Sequence, residues 1–121
     1  MSSQSYHDLI VWKEAHQFVI DIYLATNKFP TEEKYGITSQ LRRAAVSVPT
    51  NIVEGYAKRT CRDCLRYFDI ARGSIKECAY LLELSKDLQY VSLDEYNKLA
   101  NQRTKTDYLI NRFMSSASDY P

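Results

Sequence analysis

Several common ingredients are scarce in this 121-residue sequence, and each scarcity excludes something. There are only three glycines and three prolines, so neither a turn-rich β-fold nor a low-complexity segment fits. Two histidines, His7 and His16, form no H-E-x-x-H or E-x-x-H pattern, which removes the ligands of a bundle di-iron centre. No P-loop, G-x-S-x-G or G-x-G-x-x-G is present, and no cofactor or enzymatic activity is expected. No stretch nears the roughly 20 apolar residues of a membrane helix. The opening MSSQSYH lacks a cationic start followed by an apolar run, so a cytoplasmic protein is expected. Three cysteines, Cys61, Cys64 and Cys78, make no disulfide framework. Cys61 and Cys64 form a C-x-x-C pair, but zinc wants two further ligands at matching spacing, and no metal site is expected.

What is present is helical periodicity throughout, with 45% hydrophobic residues, enough for one core. In the stretch Phe29 to Arg59, apolar residues fall at Ile37, Leu41, Ala44, Ala45, Val48, Ile52 and Tyr56. This spacing predicts a helix in spite of Pro49, with a bend near Val46 to Pro49. Beside it runs a polar stripe, Gln40, Ser47, Asn51 and Glu54, able to face another helix. An earlier helix is expected from a cap at Asp8 to about Lys28, with Leu9, Trp12, Ala15, Val19, Ile22 and Thr26 on its core face, Val11, Phe18 and Ala25 widening the stripe, and Trp12 as anchor. Phe29-Pro30 ends it, and Phe29, Tyr35 and Ile37 give the connection fixed structure.

Thr60 and Asp63 open a third helix, which runs from Tyr67 and Phe68 as far as Gln89. Gly73 inside it costs about 1 kcal/mol against alanine, which predicts another backbone close by, from a helix crossing or a second subunit. Ser92 and Glu95 form a capping box for a fourth helix with Tyr96, Leu99, Thr106, Ile110 and Phe113 inward, interrupted by Arg103. The polar tail after Met114 is expected to fray. Residues 1–121 thus read as one all-α domain, an antiparallel up-down-up-down four-helix bundle.

The motifs FP-x-x-E-x-YG-I-x-x-QLRRAA-x-SVP-x-NI-x-EG from Phe29, L-x-VW-x-x-A from Leu9, and Gly73-Ser74-Ile75-Lys76-Glu77-Cys78 closely resemble small bacterial proteins encoded within intervening sequences of 23S ribosomal RNA genes. Cys78 stands where leucine is usual. The resemblance implies an antiparallel four-helix bundle assembled as a ring-shaped homopentamer, with no established enzymatic activity. Similar proteins serve diversity-generating retroelements, where they bind nucleic acid and a reverse transcriptase.

Charge marks the candidate site. The net charge is only +1, yet from Arg42 to Lys76 eight basic residues stand against three acids. Arg42, Arg43, Lys58, Arg59, Arg62 and Arg66, with Tyr56 and Tyr67 among them, suit phosphate neutralisation and base stacking. Pairing of the arginines with Asp63 and Asp69 would make the same cluster a solvated face. Glu54 and Glu77 are the two carboxylates that the pattern could bury, where a pair could do acid and base work; pairing of each with a cation or amide is expected instead, with Gln40, Asn51 and Ser74 as company. Two readings follow: a homo-oligomeric nucleic-acid-binding adaptor, or a scaffolding oligomer with no nucleic-acid role.

Overall fold

A computed structural model describes residues 5–118. A 3-10 turn, Tyr6–Asp8, precedes α1 (Ile10–Thr26); a second, Thr31–Glu33, leads into α2 (Ile37–Tyr56); α3 (Cys61–Asp87) and α4 (Leu93–Ser118) follow. No strand occurs among the described residues. Each helix packs on its neighbours in chain order and α1 closes against α4, while the diagonal pairs hardly touch. Short connections and this neighbour order make an up-down-up-down four-helix bundle.

The core runs through all four helices. Phe18, Ile22, Leu41, Val48, Ile52, Phe68, Ile75, Leu82 and Ile110 are fully buried within it. In α1 the buried residues are Val11, Ala15, Phe18, Ile22, Ala25 and Thr26, so Ala15, Ile22 and Thr26 of the expected face are buried and the flanking Val11, Phe18 and Ala25 complete it. Leu9, Trp12 and Val19 flank it, half-buried. Trp12 is therefore not the core anchor: it stacks on the exposed His16 ring at 4.8 Å and meets Tyr6 and His7 edge-on, covering the end of the core. Asp8 does not cap α1 either. Ser5 Oγ accepts from the His7 amide to cap the 3-10 turn, and α1 begins from an extended Leu9 with no side-chain cap. The helix ends at Thr26, two residues short of Lys28, and the buried Phe29 follows.

Pro49 lies inside α2 and is buried, yet the helix is continuous across the expected bend. Thr50 Oγ1 donates to the Val46 carbonyl at 2.7 Å and Asn51 Nδ2 to that of Ser47 at 2.8 Å, so two carbonyls of the turn before the proline gain side-chain donors, next to the Ala45 carbonyl that the proline deprives of its amide. The close helix approach falls at Gly55 rather than Gly73. A β-carbon at Gly55 would sit 2.9 Å from Phe68 Cδ1 and 3.0 Å from the Cys64 carbonyl oxygen, whereas one at Gly73 would meet nothing within 4 Å.

Thr60 caps α3 as expected, accepting from the Asp63 amide at 3.1 Å. At the other end α3 closes in a Schellman arrangement: the Tyr90 amide reaches the Ser85 carbonyl and the Gln89 amide that of Lys86. Gln89 takes the left-handed conformation, φ 65°, a place glycine usually fills, so the helix stops at Asp87. Ser92 and Glu95 cap α4 reciprocally, at 3.1 and 3.3 Å. The tail expected to fray stays helical to Ser118; Asp119 to Pro121 lie outside the described residues.

Candidate functional site

The α2–α3 turn gathers four of the expected cations. Lys58 Nζ lies 4.9 Å from the Tyr67 ring centre and the Arg66 guanidinium 5.5 Å from it, so one half-buried ring carries two cations. Their nearest carboxylates are distant: Lys58 to Glu54 is 3.9 Å and Arg66 to Asp63 is 3.8 Å. Such loose, exposed pairs within one helix neutralise little. Arg59 and Arg62 are exposed and make no ion pair among the described residues. Tyr56, at the end of α2, is half-buried beside this turn. Arg72 alone in this part of α3 has a tight partner, Asp69 at 2.6 Å.

Arg42 and Arg43 do not belong to this group. They sit sixteen and fifteen residues before Lys58, which along a helix is about 24 Å. Arg42 binds the C-terminal end of α1: Nε donates to Thr26 Oγ1 at 2.7 Å, Nη2 to Asn27 Oδ1 at 3.0 Å, and the guanidinium covers the Tyr23 ring at 4.5 Å. A cation over the free carbonyls of a helix end is favourable, and here it ties α2 to α1. Arg43 is exposed near Tyr35, itself 88% exposed, so Tyr35 is not the packed member of the connection that its sequence setting predicts.

The polar stripe is real in its middle and open at its ends. Ser47 and Ser74 hydroxyls meet at 2.8 Å across α2 and α3, and Asn51 Nδ2 reaches Ser47 Oγ at 3.0 Å. Gln40, Arg43 and Glu77 border an open groove of about 470 Å³ above them. Neither Glu54 nor Glu77 is buried; Glu54 has the expected cationic partner in Lys58, and Glu77 stands at the groove edge. Helical spacing allows both an inward face, but the α2–α3 contact runs through Ser47 with Ser74 and Gly55 with Phe68, and leaves the two carboxylates outside it.

The cysteines show no reactive setting. Burial, then the charge of Glu77, pushes the Cys78 thiol up to about 12. Burial also raises Cys64, with Cys61 adding to it. Cys61 Sγ donates to the Ala117 carbonyl at 2.8 Å. No group of three or more His, Cys, Asp or Glu able to hold a metal occurs among the described residues. No described helix is long and apolar enough to cross a membrane.

Two residues that periodicity left unremarked shape the start of α2. Glu33 accepts from the Ile37 amide at 3.1 Å through Oε1 and from the Tyr90 hydroxyl at 2.9 Å through Oε2, which raises the Tyr90 phenol above its usual range. Gly36 keeps that carboxylate in place, since a β-carbon there would lie 2.5 Å from Glu33 Oε1. Thr38, the second residue of α2, is buried with its hydroxyl oxygen unpartnered. Its polar character at an inward position was the one signal of it in the sequence.

Residues 7–112 match the family described as 23S rRNA-intervening sequence protein. No curated protein matches the chain. Among solved structures, a protein of unknown function from the S23 ribosomal protein family of Bacteroides thetaiotaomicron superposes with a TM-score of 0.81 at 21% identity, over 88% of this chain and 96% of that one. That likeness shows the same bundle. With the four helices and the matched span in agreement, the chain belongs to the 23S rRNA-intervening sequence protein family.

Proposed function

We propose that the protein is a non-enzymatic, homo-oligomeric adaptor that binds RNA or DNA through the α2–α3 turn. The observation that carries this reading is the set Lys58, Arg59, Arg62 and Arg66: two cations share the Tyr67 face, and Arg59 and Arg62 project without carboxylate partners. Unneutralised cations around a ring are what phosphates and unpaired bases require. The number of subunits, five, and a working partner such as a reverse transcriptase follow from the family resemblance, and a cytoplasmic setting belongs to the same reading. Repeating a weak site around a ring multiplies affinity by roughly 10²–10⁴ without new contacts.

Changing Arg59, Arg62 and Arg66 together to Ser tests it, with binding to single-stranded and structured RNA and DNA measured at low and moderate salt. Loss of binding with assembly intact is expected. Parent-like binding by the triple variant, or none by the parent at low salt, sinks the adaptor reading.

A scaffolding oligomer is the second reading, favoured by the half-exposed Ser47–Asn51–Ser74 network and the empty space at Gly73. Gly73→Leu should weaken assembly more than helicity if a second copy packs there. Sedimentation as a 14.1 kDa particle at micromolar concentration would remove both oligomeric readings.

A further inference from the structure

The corner where α1 hands over to α2 holds a second cluster of cations and tyrosines that the α2–α3 turn does not explain. Lys34, Arg42 and Arg43 converge there with Tyr23 and Tyr35 around one open cleft, floored by Thr38 and Ser39. Lys34 Nζ lies 5.5 Å from the Tyr35 ring centre, and Lys34 and Arg43 make no ion pair among the described residues. Arg42 is bonded only to neutral oxygens, those of Thr26, Asn27 and Tyr23, so its charge is uncompensated.

The same cleft receives the start of a 20-residue helix. Glu33 takes the first amide, that of Ile37, and its other oxygen is held by Tyr90. The next two amides, of Thr38 and Ser39, have no carbonyl or side-chain partner among the described residues. Free amides at a helix start attract anions. A second observation is independent of the helix: Thr38 is only 9% exposed, lines both this cleft and its neighbour, and its hydroxyl oxygen meets no partner. A buried hydroxyl left unpaired costs about 1–3 kcal/mol, so its retention beneath three cations calls for an explanation.

We propose that this corner is a nucleotide site, with the phosphate received among Lys34, Arg43 and the Thr38 and Ser39 amides over the Thr38 hydroxyl, and the base stacked on the exposed Tyr35 ring. It deepens the nucleic-acid reading and rests on it for the choice of a nucleotide over another anion. The nucleotide is either free or one unit of a strand whose next contacts lie at the α2–α3 turn, about 24 Å along α2. Lys34 and Arg43 supply charge, Arg42 fixes the wall from α1, and Tyr35 discriminates a nucleotide from bare phosphate.

Calorimetry at low salt with adenosine monophosphate, with inorganic phosphate and with a single-stranded oligonucleotide tests the site. The parent should bind the mononucleotide more tightly than phosphate, and Tyr35→Ala should erase that difference. The double change Lys34→Gln, Arg43→Gln should weaken mononucleotide binding at least ~10-fold, the value of one or two charge-assisted bonds. Thr38→Val should raise the thermal midpoint, by removing an unpaired hydroxyl, and weaken mononucleotide binding in the same protein. Arg59, Arg62 and Arg66 changed to Ser should leave mononucleotide affinity as it was. Mononucleotide binding that tracks the corner residues, with no oligonucleotide binding anywhere, keeps this site and sinks the adaptor. Mononucleotide binding indifferent to Lys34 and Arg43, no response to the mononucleotide, or equal affinity for phosphate and mononucleotide overturns the site; oligonucleotide binding that persists in any of these cases leaves the adaptor standing.

Discussion

The seam between α2 and α3 and the seam between α1 and α4 hold one bundle by different means. Across the first, Gly55 lets α2 lie against Phe68 and the Cys64 carbonyl with no room for a methyl group, and fully buried apolar side chains fill most of the rest beside the half-exposed Ser47–Ser74 hydroxyl pair. Across the second, polar side chains reach over: Gln102 to Asp21 at 2.6 Å, Lys105 to Glu14 at 3.1 Å, Lys28 to Glu95 at 2.6 Å. Close packing registers every atom gained or lost, whereas half-exposed ion pairs contribute little. The α2–α3 hairpin is thus the frame, and both candidate binding regions stand at the ends of α2, where the frame holds them in place.

The strongest test of this contrast is Phe68→Ala. Phe68 is fully buried and stacks on Phe113 at 4.2 Å, so its loss should cost about 3–5 kcal/mol in urea unfolding. A cost near 1 kcal/mol would deny α2–α3 its role as frame. Next come the two glycines of the hairpin. Gly55→Ala forces the helices apart and should cost about 1–3 kcal/mol, while Gly73→Ala gains helix propensity in open space and should stabilise the subunit by about 1 kcal/mol. Equal signs would erase the distinction between a packed and an open position.

On the other seam, Lys105→Met should change stability by no more than about 1 kcal/mol, since Lys105 is mostly exposed. A loss of 3 kcal/mol would make the polar seam an equal partner. The smallest effect belongs to Glu95. Its hydrogen bond from Lys28, then that from the Ser92 amide, holds its carboxyl below the usual range. A depressed folded-state pKa stabilises above the unfolded-state value, and the contribution fades as pH falls through the folded one. Glu95→Gln should therefore cost about 0.5 kcal/mol at neutral pH, screened as it is by solvent, and the difference from the parent should close in acid. A difference that persists unchanged in acid would assign it to the cap rather than the charge.

Much of the bundle was legible because helical periodicity survives in all four segments, and Thr60 and Ser92 announce their caps. In the first helix the inward residues were all in the apolar pattern, but that pattern is wide, and it does not say that Trp12, its largest aromatic, lies on the side that faces the edge. Propensity assigns Gly55 and Gly73 the same cost; only the position of the neighbouring helix says which one is crowded. The end of α3 escaped because Gln89, not glycine, adopts the left-handed turn. Of the site, the cations at the α2–α3 turn were readable, but neighbourhood in sequence placed Arg42 and Arg43 with them, and one helix length undoes that. Glu33 and Thr38 were illegible for another reason: their roles depend on Tyr90, on Gly36 and on a cleft that exists only after folding.

Tyr90 touches both connections at one end of the bundle. Its ring packs on Phe29 at 5.4 Å, and its hydroxyl reaches Glu33, 57 residues away in the chain, whose other oxygen holds the first amide of α2. Two loops joined through one side chain open together, so their amides should exchange hydrogen for deuterium at a common rate, while the opposite end, with the α2–α3 turn, breathes on its own. A nucleotide seated at the corner of α1 and α2 would then slow exchange at Gln89 to Ser92, in a turn it never contacts.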